Sequence, residues 1–421
     1  MRVCVAGLWH LGTVTAACLA DAGHRVVGFD DDEEVVEGLR RGRSPVAEPG
    51  LDALVSNGID GGRLEFTNDP TEALADADVL WITYDTPVDE DDRADVDWVK
   101  ERIRGLLEER GPETFVVISS QLPVGTVGTL GAHRVACIPE NLQLGRAIDA
   151  FSRPERVVVG IGSETDRSPV ERLLAPITDR IEWMGIESAE LAKHALNAFL
   201  ATSITFANEL AVLGERVGAD AREVAHGLKT DARIGPRAYL NPGAAFAGGT
   251  LARDVEFLTQ TAEREGIATP LLSAVRPSNE EHLHWPLRAV RELLDHDDGV
   301  VAVWGLAYKV GTDTLRRSSA LQLCTELARA GISVRAHDPA VRALPANAAN
   351  AISLTPTALD ALDGASALVV ATPWPDFRKI DADEVVARMT LPNVVDADGA
   401  LLDTLGADPR VRYVTVGRAP R

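Results

Sequence analysis

The chain has 421 residues, with Lys+Arg 42 against Asp+Glu 64 and a net charge of -22. That length provides for two or three domains with a real core, and the acidic balance argues against a nucleic-acid binder, which needs a basic footprint. A hydrophobic fraction of 45% and a charged fraction of 25% exclude wholesale disorder. No apolar run approaches the length of a membrane span. Cys4, Cys18, Cys137 and Cys324 have neither disulfide-framework nor zinc spacing. The N-terminus enters a strand-like run with no signal-peptide pattern, so the expectation is a cytoplasmic, multi-domain protein.

In chain order, Val3–Ala6 reads as a buried strand, Gly7–Gly12 as a turn, Thr13–Ala22 as a small-residue helix that Gly23 can cap, and Arg25–Phe29 as a second strand ending at Asp30. Strands at Val79–Thr83, Phe115–Ser119, Val135–Ile138 and Val157–Ile161 continue the alternation. Such alternation predicts a parallel, doubly wound sheet. From Ser188 to Arg216 the pattern becomes one long amphipathic helix. A Pro/Gly-rich stretch covers Ile234–Gly249, and His282–Asp298, with Pro286 and an acidic run, reads as a linker. A second unit then begins: strand Val300–Trp304, loop Gly305–Thr312, helix Ser319–Ala330, strand Ser333–Ala336 leading to Asp338, and strands Leu368–Ala371 and Asn393–Asp396. The expected fold class is α/β, two Rossmann-like doubly wound domains joined by a long central helix. The expected domains are 1–184, 185–285 and 297–421.

Gly7-Leu8-Trp9-His10-Leu11-Gly12 follows a strand and opens a helix. It matches the dinucleotide fingerprint except at Trp9, where the glycine that lets the backbone approach a pyrophosphate belongs. Asp30 ends the next strand, where an acid hydrogen-bonds the adenosine ribose and disfavours a 2′-phosphate. This pattern indicates NAD; a packing turn with no cofactor is the other reading of the glycines. Lysine is scarce, present only at Lys100, Lys193, Lys229, Lys309 and Lys379, so each invites a reason, since Arg and Lys differ chemically. His282 and His284 lack a carboxylate motif around them, and no metal is expected there.

Glu48-Pro49-Gly50-Leu51 looks like EPGL, Thr86-Pro87 matches TP, and Leu122-Pro123-Val124-Gly125-Thr126 matches VPVGT. Pro139-Glu140-Asn141-Leu142 resembles PEFL, and Pro154–Gly160 resembles PDRIVIG. Glu190–Thr202 is close to ELxKYxxNAFLAT, and Gly305-Leu306-Ala307-Tyr308-Lys309 with Thr312-Asp313 and Arg316 is similar to GLAFKxxTDDxR. Taken in order, these segments resemble the UDP-glucose/GDP-mannose dehydrogenase family, essentially end to end. The resemblance implies NAD, a nucleotide-sugar or nucleoside substrate, no membrane or nucleic-acid partner, and a homodimer built on the central helix. It places Gly7, Trp9, His10, Leu11, Gly12, Asp30, Thr86, Gln121 and Arg316 at the cofactor. It places Asn141, Leu142, Arg233, Tyr239, Phe246, Gly249 and Lys309 at the substrate, with Arg233 reaching across the dimer.

The family oxidises a primary alcohol twice, the second time through a cysteine thioester in a motif PGxGFGGSCxPKD. Here that stretch runs Pro242-Gly243-Ala244-Ala245-Phe246-Ala247-Gly248-Gly249-Thr250-Leu251-Ala252-Arg253-Asp254. Thr250 stands at the cysteine position. Leu144 replaces the second glutamate of PEFLREG, Gln121 the threonine of STVPVGT, and Ala400 the arginine of DGRN. A threonine hydroxyl is far less nucleophilic than a thiolate, so one two-electron oxidation is expected. A redox-neutral lyase or epimerase with hydride return, and a non-catalytic nucleotide binder, are the alternatives.

Lys193 and Asn197 lie four apart, hence on one helix face. They can hold an oxygen that becomes an alkoxide and then a carbonyl; a solvated helix face is the plain alternative. Asp254 is a candidate base, directly or through water, or else a helix cap or a salt-bridge partner of Arg253. Glu140, at a strand's C-terminal end, is where α/β folds place site residues. The expected catalytic set is Lys193, Asn197, Asp254, Glu140 and Thr250.

Overall fold

The computed structural model describes residues 1–87, 94–142, 144–247, 249–294 and 299–419. By packing the chain divides into two compact units, Met1–Leu196 with Gln260–Gly266, and Asn197–Thr259 with Ile267–Arg421.

The first unit holds strands β1 (Arg2–Ala6), β2 (Arg25–Phe29), β3 (Leu64–Thr67), β4 (Val79–Ile82), β5 (Phe115–Ile118), β6 (Val135–Cys137), β7 (Val157–Ile161) and β8 (Ile181–Gly185). They form one sheet in the order β3-β2-β1-β4-β5-β6-β7-β8. The order reverses at β1 and β4, the place where open α/β sheets bind ligands. Ala6 lies beside both Phe29 and Ile82, so Gly7 leaves the sheet at that crevice. Its central strands β1, β4 and β5 are buried on both faces, as their unbroken apolar runs require. Val3 and Val5 face one core with Val14 and Cys18 of the first helix, while Cys4 and Ala6 face the other with Ile103 and Leu106. One pair departs from the expected parallel pattern: β7 runs antiparallel to β6. The segment between them returns the chain without a crossover and carries Glu140, Asn141 and Leu142 off the C-terminal end of β6.

The second unit holds β9 (Val300–Trp304), β10 (Ser333–His337), β11 (Ile352–Leu354), β12 (Ala367–Val370), β13 (Asn393–Asp396) and β14 (Arg412–Val414). They form a parallel sheet in the order β11-β10-β9-β12-β13-β14. Val301 and Val303 point to one core, Ala302 and Trp304 to the other.

The long helix runs Ile186–Val217. Gly160 lets it lie close on β7, because a side chain there would collide with Ile186 and Ala189. By length and composition this helix could cross a membrane, with a mean hydropathy of 1.3 over an 18-residue window, although charged and polar residues interrupt its apolar runs. Its polar residues bond inside the folded units instead. Glu190 accepts from the Gly125 and Val127 amides at 2.7 and 2.9 Å, and Asn208 accepts from the Gly243 amide at 3.0 Å.

The expected linker His282–Asp298 is not one. Helices Pro270–Leu283 and Trp285–Leu293 fill its described part, with Trp285, Val290 and Leu293 buried. Pro286 falls in the first turn of a helix, where its missing N–H costs nothing. The acidic residues 295–298 lie outside the described residues. His282 is therefore helical and buried, and it donates to the Gly243 carbonyl at 2.9 Å. Among the described residues no cluster of His, Cys, Asp and Glu is arranged for a metal ion.

Candidate functional site

Gly7 has φ +96°, and a side chain there would strike the Tyr84 backbone. At Gly12 a Cβ would run into the Gly7 carbonyl. Thr83 donates to that carbonyl at 2.8 Å and Thr13 to the Leu8 carbonyl at 2.7 Å, which fixes the turn. The first helix starts at His10 with no side-chain cap and no acid in its first turn. Its free N–H groups and positive dipole end suit a pyrophosphate. Trp9 has φ -72° and its indole is 51% exposed. A negative φ is open to any residue, so replacing glycine by Trp9 strains nothing.

Asp30 sits at the mouth of this turn. Its Oδ2 accepts from the Leu8 amide at 2.6 Å and its Oδ1 from the Asp32 amide at 3.0 Å. Each oxygen keeps a further lone pair for a ribose hydroxyl. Burial raises the Asp30 pKa above the ordinary aspartate value despite these two bonds. Thr86 donates to the Gln121 carbonyl at 2.6 Å, so two expected cofactor residues meet. The turn, the uncapped helix and Asp30 together fit NAD.

His10 is held away from solvent by a residue whose role the sequence did not show. Glu48, first of the EPGL segment, lies 3.0 Å from His10 Nε2 and accepts the Gly145 and Ala147 amides at 2.7 and 2.9 Å. Burial pushes the Glu48 carboxyl up, but these donors outweigh it and its pKa lies below the ordinary value. Glu48 thereby ties the glycine turn to the segment after Glu140. Glu190 does the same for residues 125–127, and His194 donates to the Leu122 carbonyl at 2.8 Å. The signal for these anchors was an acid or histidine inside a motif, with no visible partner in the chain.

Lys193 Nζ lies 3.4 Å from Glu140 Oε1 and 3.4 Å from Asn141 Oδ1. Glu140 Oε2 accepts the Leu142 amide at 2.7 Å, which sets the carboxylate's direction. Gln121, Glu140 and Lys193 line one pocket. Cys137 lines it too, but burial pushes that thiol's pKa up, so it holds its proton.

On the second unit Asn197 donates through Nδ2 to Asp254 Oδ2, and both residues are buried. Asp254 lies inside the helix Thr250–Arg264 and not at its cap. Its carboxylate is fully buried and takes the Asn197 amide, so here it positions Asn197. A direct meeting with a substrate hydroxyl is not what this geometry provides. Thr250 opens the same helix and is exposed.

The remaining expected residues are more dispersed. Phe246 packs against Ala198, Ala201, Val255 and Val275, and its backbone pairs with Asn279 in both directions, at 2.9 and 3.0 Å. Arg233 points to solvent and pairs with Asp231 at 2.7 Å. Tyr239 and Arg316 are exposed. Lys309 Nζ lies 5.6 Å from the centre of the Tyr308 ring. Gly249 abuts Arg317, a residue the sequence reading passed over.

The second sheet repeats the first one's turn. Gly305 has φ +88°, and Asp338 follows β10 as Asp30 follows β2. Asp338, however, accepts the Leu306, Ala307, Ala340 and Val341 amides and the Trp374 indole N–H, at 2.7 to 3.1 Å. Burial pushes its carboxyl up, and these bonds bring its pKa below the ordinary value.

One open dinucleotide turn, one closed turn and a lysine–glutamate pair at the C-terminal edge of the first sheet define an NAD-dependent dehydrogenase. The family is settled by comparison. Residues 1–178, 187–281 and 302–403 match in turn the NAD binding, central and UDP binding domains of the UDP-glucose/GDP-mannose dehydrogenase family, and the chain belongs to that family. A UDP-glucose 6-dehydrogenase of Pseudomonas aeruginosa is 36% identical over 443 aligned positions, covering 99% of this chain and 98% of that protein. The solved UDP-glucose dehydrogenase of Pyrobaculum islandicum superposes with a TM-score of 0.81 at 31% identity, covering 90% of this chain and 92% of that one. The UDP-D-ManNAc dehydrogenase of Pyrococcus horikoshii gives a TM-score of 0.86 at 26% identity, with 99% of each chain covered.

Proposed function

We propose that this NAD-dependent nucleotide-sugar dehydrogenase performs a single two-electron oxidation of a substrate hydroxyl and stops at the carbonyl. The observation that carries the reading is Thr250 at the head of its helix, in the place of the cysteine in the motif it resembles. The thiols elsewhere support it. All four cysteines are buried, and burial pushes Cys4 and Cys324 to about 12, Cys18 to about 11 and Cys137 upward as well. A thiol so placed supplies no thiolate at neutral pH. Leu144, where the second glutamate would stand, leaves thioester hydrolysis without that base.

On the first unit, Glu140 takes the hydroxyl proton, directly or through one water, and Lys193 stabilises the charge that develops on the oxygen. On the second unit Asp254 orients the Asn197 amide. NAD, held by the Gly7–Gly12 turn and Asp30, would supply the hydride acceptor. On the second unit Lys309 and Arg316 supply positive charge to phosphates.

The protein acts as a homodimer in the cytoplasm. The outward face of the long helix in the second unit supports the dimer, with Phe199 66%, Phe206 48%, Leu213 59% and Val217 70% exposed. An apolar stripe of that kind marks an interaction surface. Light scattering at micromolar concentration gives a dimer mass; a monomer mass refutes the pairing. The reaction is tested by incubating the protein with NAD and a panel of nucleotide sugars and nucleosides, selected by thermal shift, and weighing the products. A carbonyl product supports the reading. A carboxylate product, or an isomer or elimination product at constant NAD, contradicts it.

A further inference from the structure

One short piece of the Pro/Gly-rich stretch Ile234–Gly249 is held far more firmly than its surroundings. Tyr239 is exposed, whereas residues 243–246 are gripped by side chains from the rest of the second unit. From the long helix, Asn208 accepts the Gly243 amide at 3.0 Å and donates to the Ala244 carbonyl at 3.4 Å. From the turn after β13, Asp398 accepts the Ala244 amide at 2.8 Å, and only a residue without a side chain at 243 leaves that carboxylate room. From the helix Pro270–Leu283, Asn279 accepts the Phe246 amide at 2.9 Å and donates to the Phe246 carbonyl at 3.0 Å. His282, on the same helix, donates to the Gly243 carbonyl at 2.9 Å. Asn279 and His282 lie three apart, hence on one helix face, and both are buried. Burial holds the His282 pKa below the ordinary histidine value. The neutral ring has a single N–H, and the bond to Gly243 uses it. Polar side chains buried in this way are costly unless their partners are in place, and here the partners are the backbone of one loop.

We propose that Asn279 and His282 are positioning residues that set the loop 243–246 in the shape a nucleotide sugar meets. The proposal rests on the nucleotide-sugar reading above and on the resemblance that puts Phe246 and Gly249 at the substrate. The Asn279 amide gives one residue both of the bonds a neighbouring strand would give, so the Phe246 backbone is directed without belonging to a sheet. The Phe246 ring is fixed at the same time against Ala198, Ala201, Val255 and Val275. Thr250 follows closely and opens the helix that carries Asp254, so the loop also governs where that helix starts. A loop ordered before the ligand arrives forfeits little freedom on binding, and the affinity is higher by the ordering cost that is avoided. Neither side chain has to touch the substrate; both act through the backbone they hold.

Calorimetry on the full chain with UDP-glucose and GDP-mannose, NAD present, tests this together with hydrogen exchange. His282→Leu leaves the Gly243 carbonyl without its donor, and sugar-nucleotide affinity falls about 10-fold. NAD affinity, read separately, stays within about 2-fold, since the cofactor turn lies on the other sheet. His282→Gln keeps an N–H for that carbonyl and recovers most of the loss. Asn279→Asp keeps the acceptor for the Phe246 amide but turns an oxygen toward the Phe246 carbonyl, and it weakens the sugar with the same selectivity. In both damaging variants exchange of the 243–246 amides rises more than that of the second unit as a whole. A merely structural role would lower the unfolding free energy and leave the sugar affinity of the folded protein unmoved, which overturns the proposal. A glutamine variant as weak as the leucine variant overturns it as well. A native protein that binds neither sugar nucleotide strikes the nucleotide-sugar reading, and the exchange result then decides separately whether the two side chains hold the loop.

Discussion

The chain builds the same turn twice and closes it once. In both units a strand ends in a positive-φ glycine, a second strand runs beside it, and an aspartate follows that strand. Asp30 accepts two backbone amides and keeps room on each oxygen. Asp338 is surrounded by backbone amides and the Trp374 indole. The pKa directions follow: burial wins at Asp30, and hydrogen bonding wins at Asp338. One carboxylate is available to a ligand while the other is a structural anchor. A glycine turn followed by an acid therefore does not by itself identify a dinucleotide site; the donors already around the acid decide.

That contrast is broken most severely at Asp338. Asp338→Ala leaves buried amides without an acceptor and costs about 3–5 kcal/mol of unfolding free energy, read by denaturant unfolding of the full chain. NAD affinity measured under native conditions stays within about 2-fold, since the cofactor turn lies on the other sheet. Next comes Glu48→Ala, which releases His10 and the Gly145 and Ala147 amides. It lowers stability by about 2–3 kcal/mol, and hydrogen exchange at residues 145–147 rises with it. Asp30→Ala shifts the balance toward the ligand: NAD binding weakens by roughly 1–3 kcal/mol, read by calorimetry, while the cofactor-free protein loses less stability than Asp338→Ala does, since two amides and not four lose their acceptor.

Acid separates the pair. The folded-state pKa of Asp30 lies above its unfolded value, so its charge costs stability at neutral pH, and that cost is relieved as pH falls through the folded pKa. Protonation removes the ribose acceptor over the same window, so NAD affinity declines before ordinary aspartates titrate. Asp338 has a depressed pKa, so its contribution is complete above its unfolded value near 3.8 and is lost only as pH falls through the lower folded value. A pH series of NAD affinity and unfolding free energy should show NAD loss first. The smallest effect is at Trp9. Trp9→Gly shifts NAD affinity by less than about 0.5 kcal/mol, because its φ is unstrained and its indole exposed.

The sequence made the buried parallel strands legible because their apolar runs are continuous and end in glycine or aspartate. It hid β3, β8, β11 and β14, which have three to five residues each and little period to read. It misread Trp285–Leu293 because Pro286 looked like a breaker when it occupies a first turn. Within the site, Lys193 and Glu140 were visible through motif and position, and the structure brings them within 3.4 Å. Glu48, Glu190 and Asp338 were not visible as anchors, since each takes backbone amides distant in the chain.

The central claim is that chemistry at Thr250 ends after one oxidation. It is tested most directly by letting the protein consume a limiting amount of its nucleotide-sugar substrate in excess NAD and counting the NADH formed. The account predicts one NADH per substrate consumed. Two NADH per substrate, from the native protein with Thr250 in place, would contradict it.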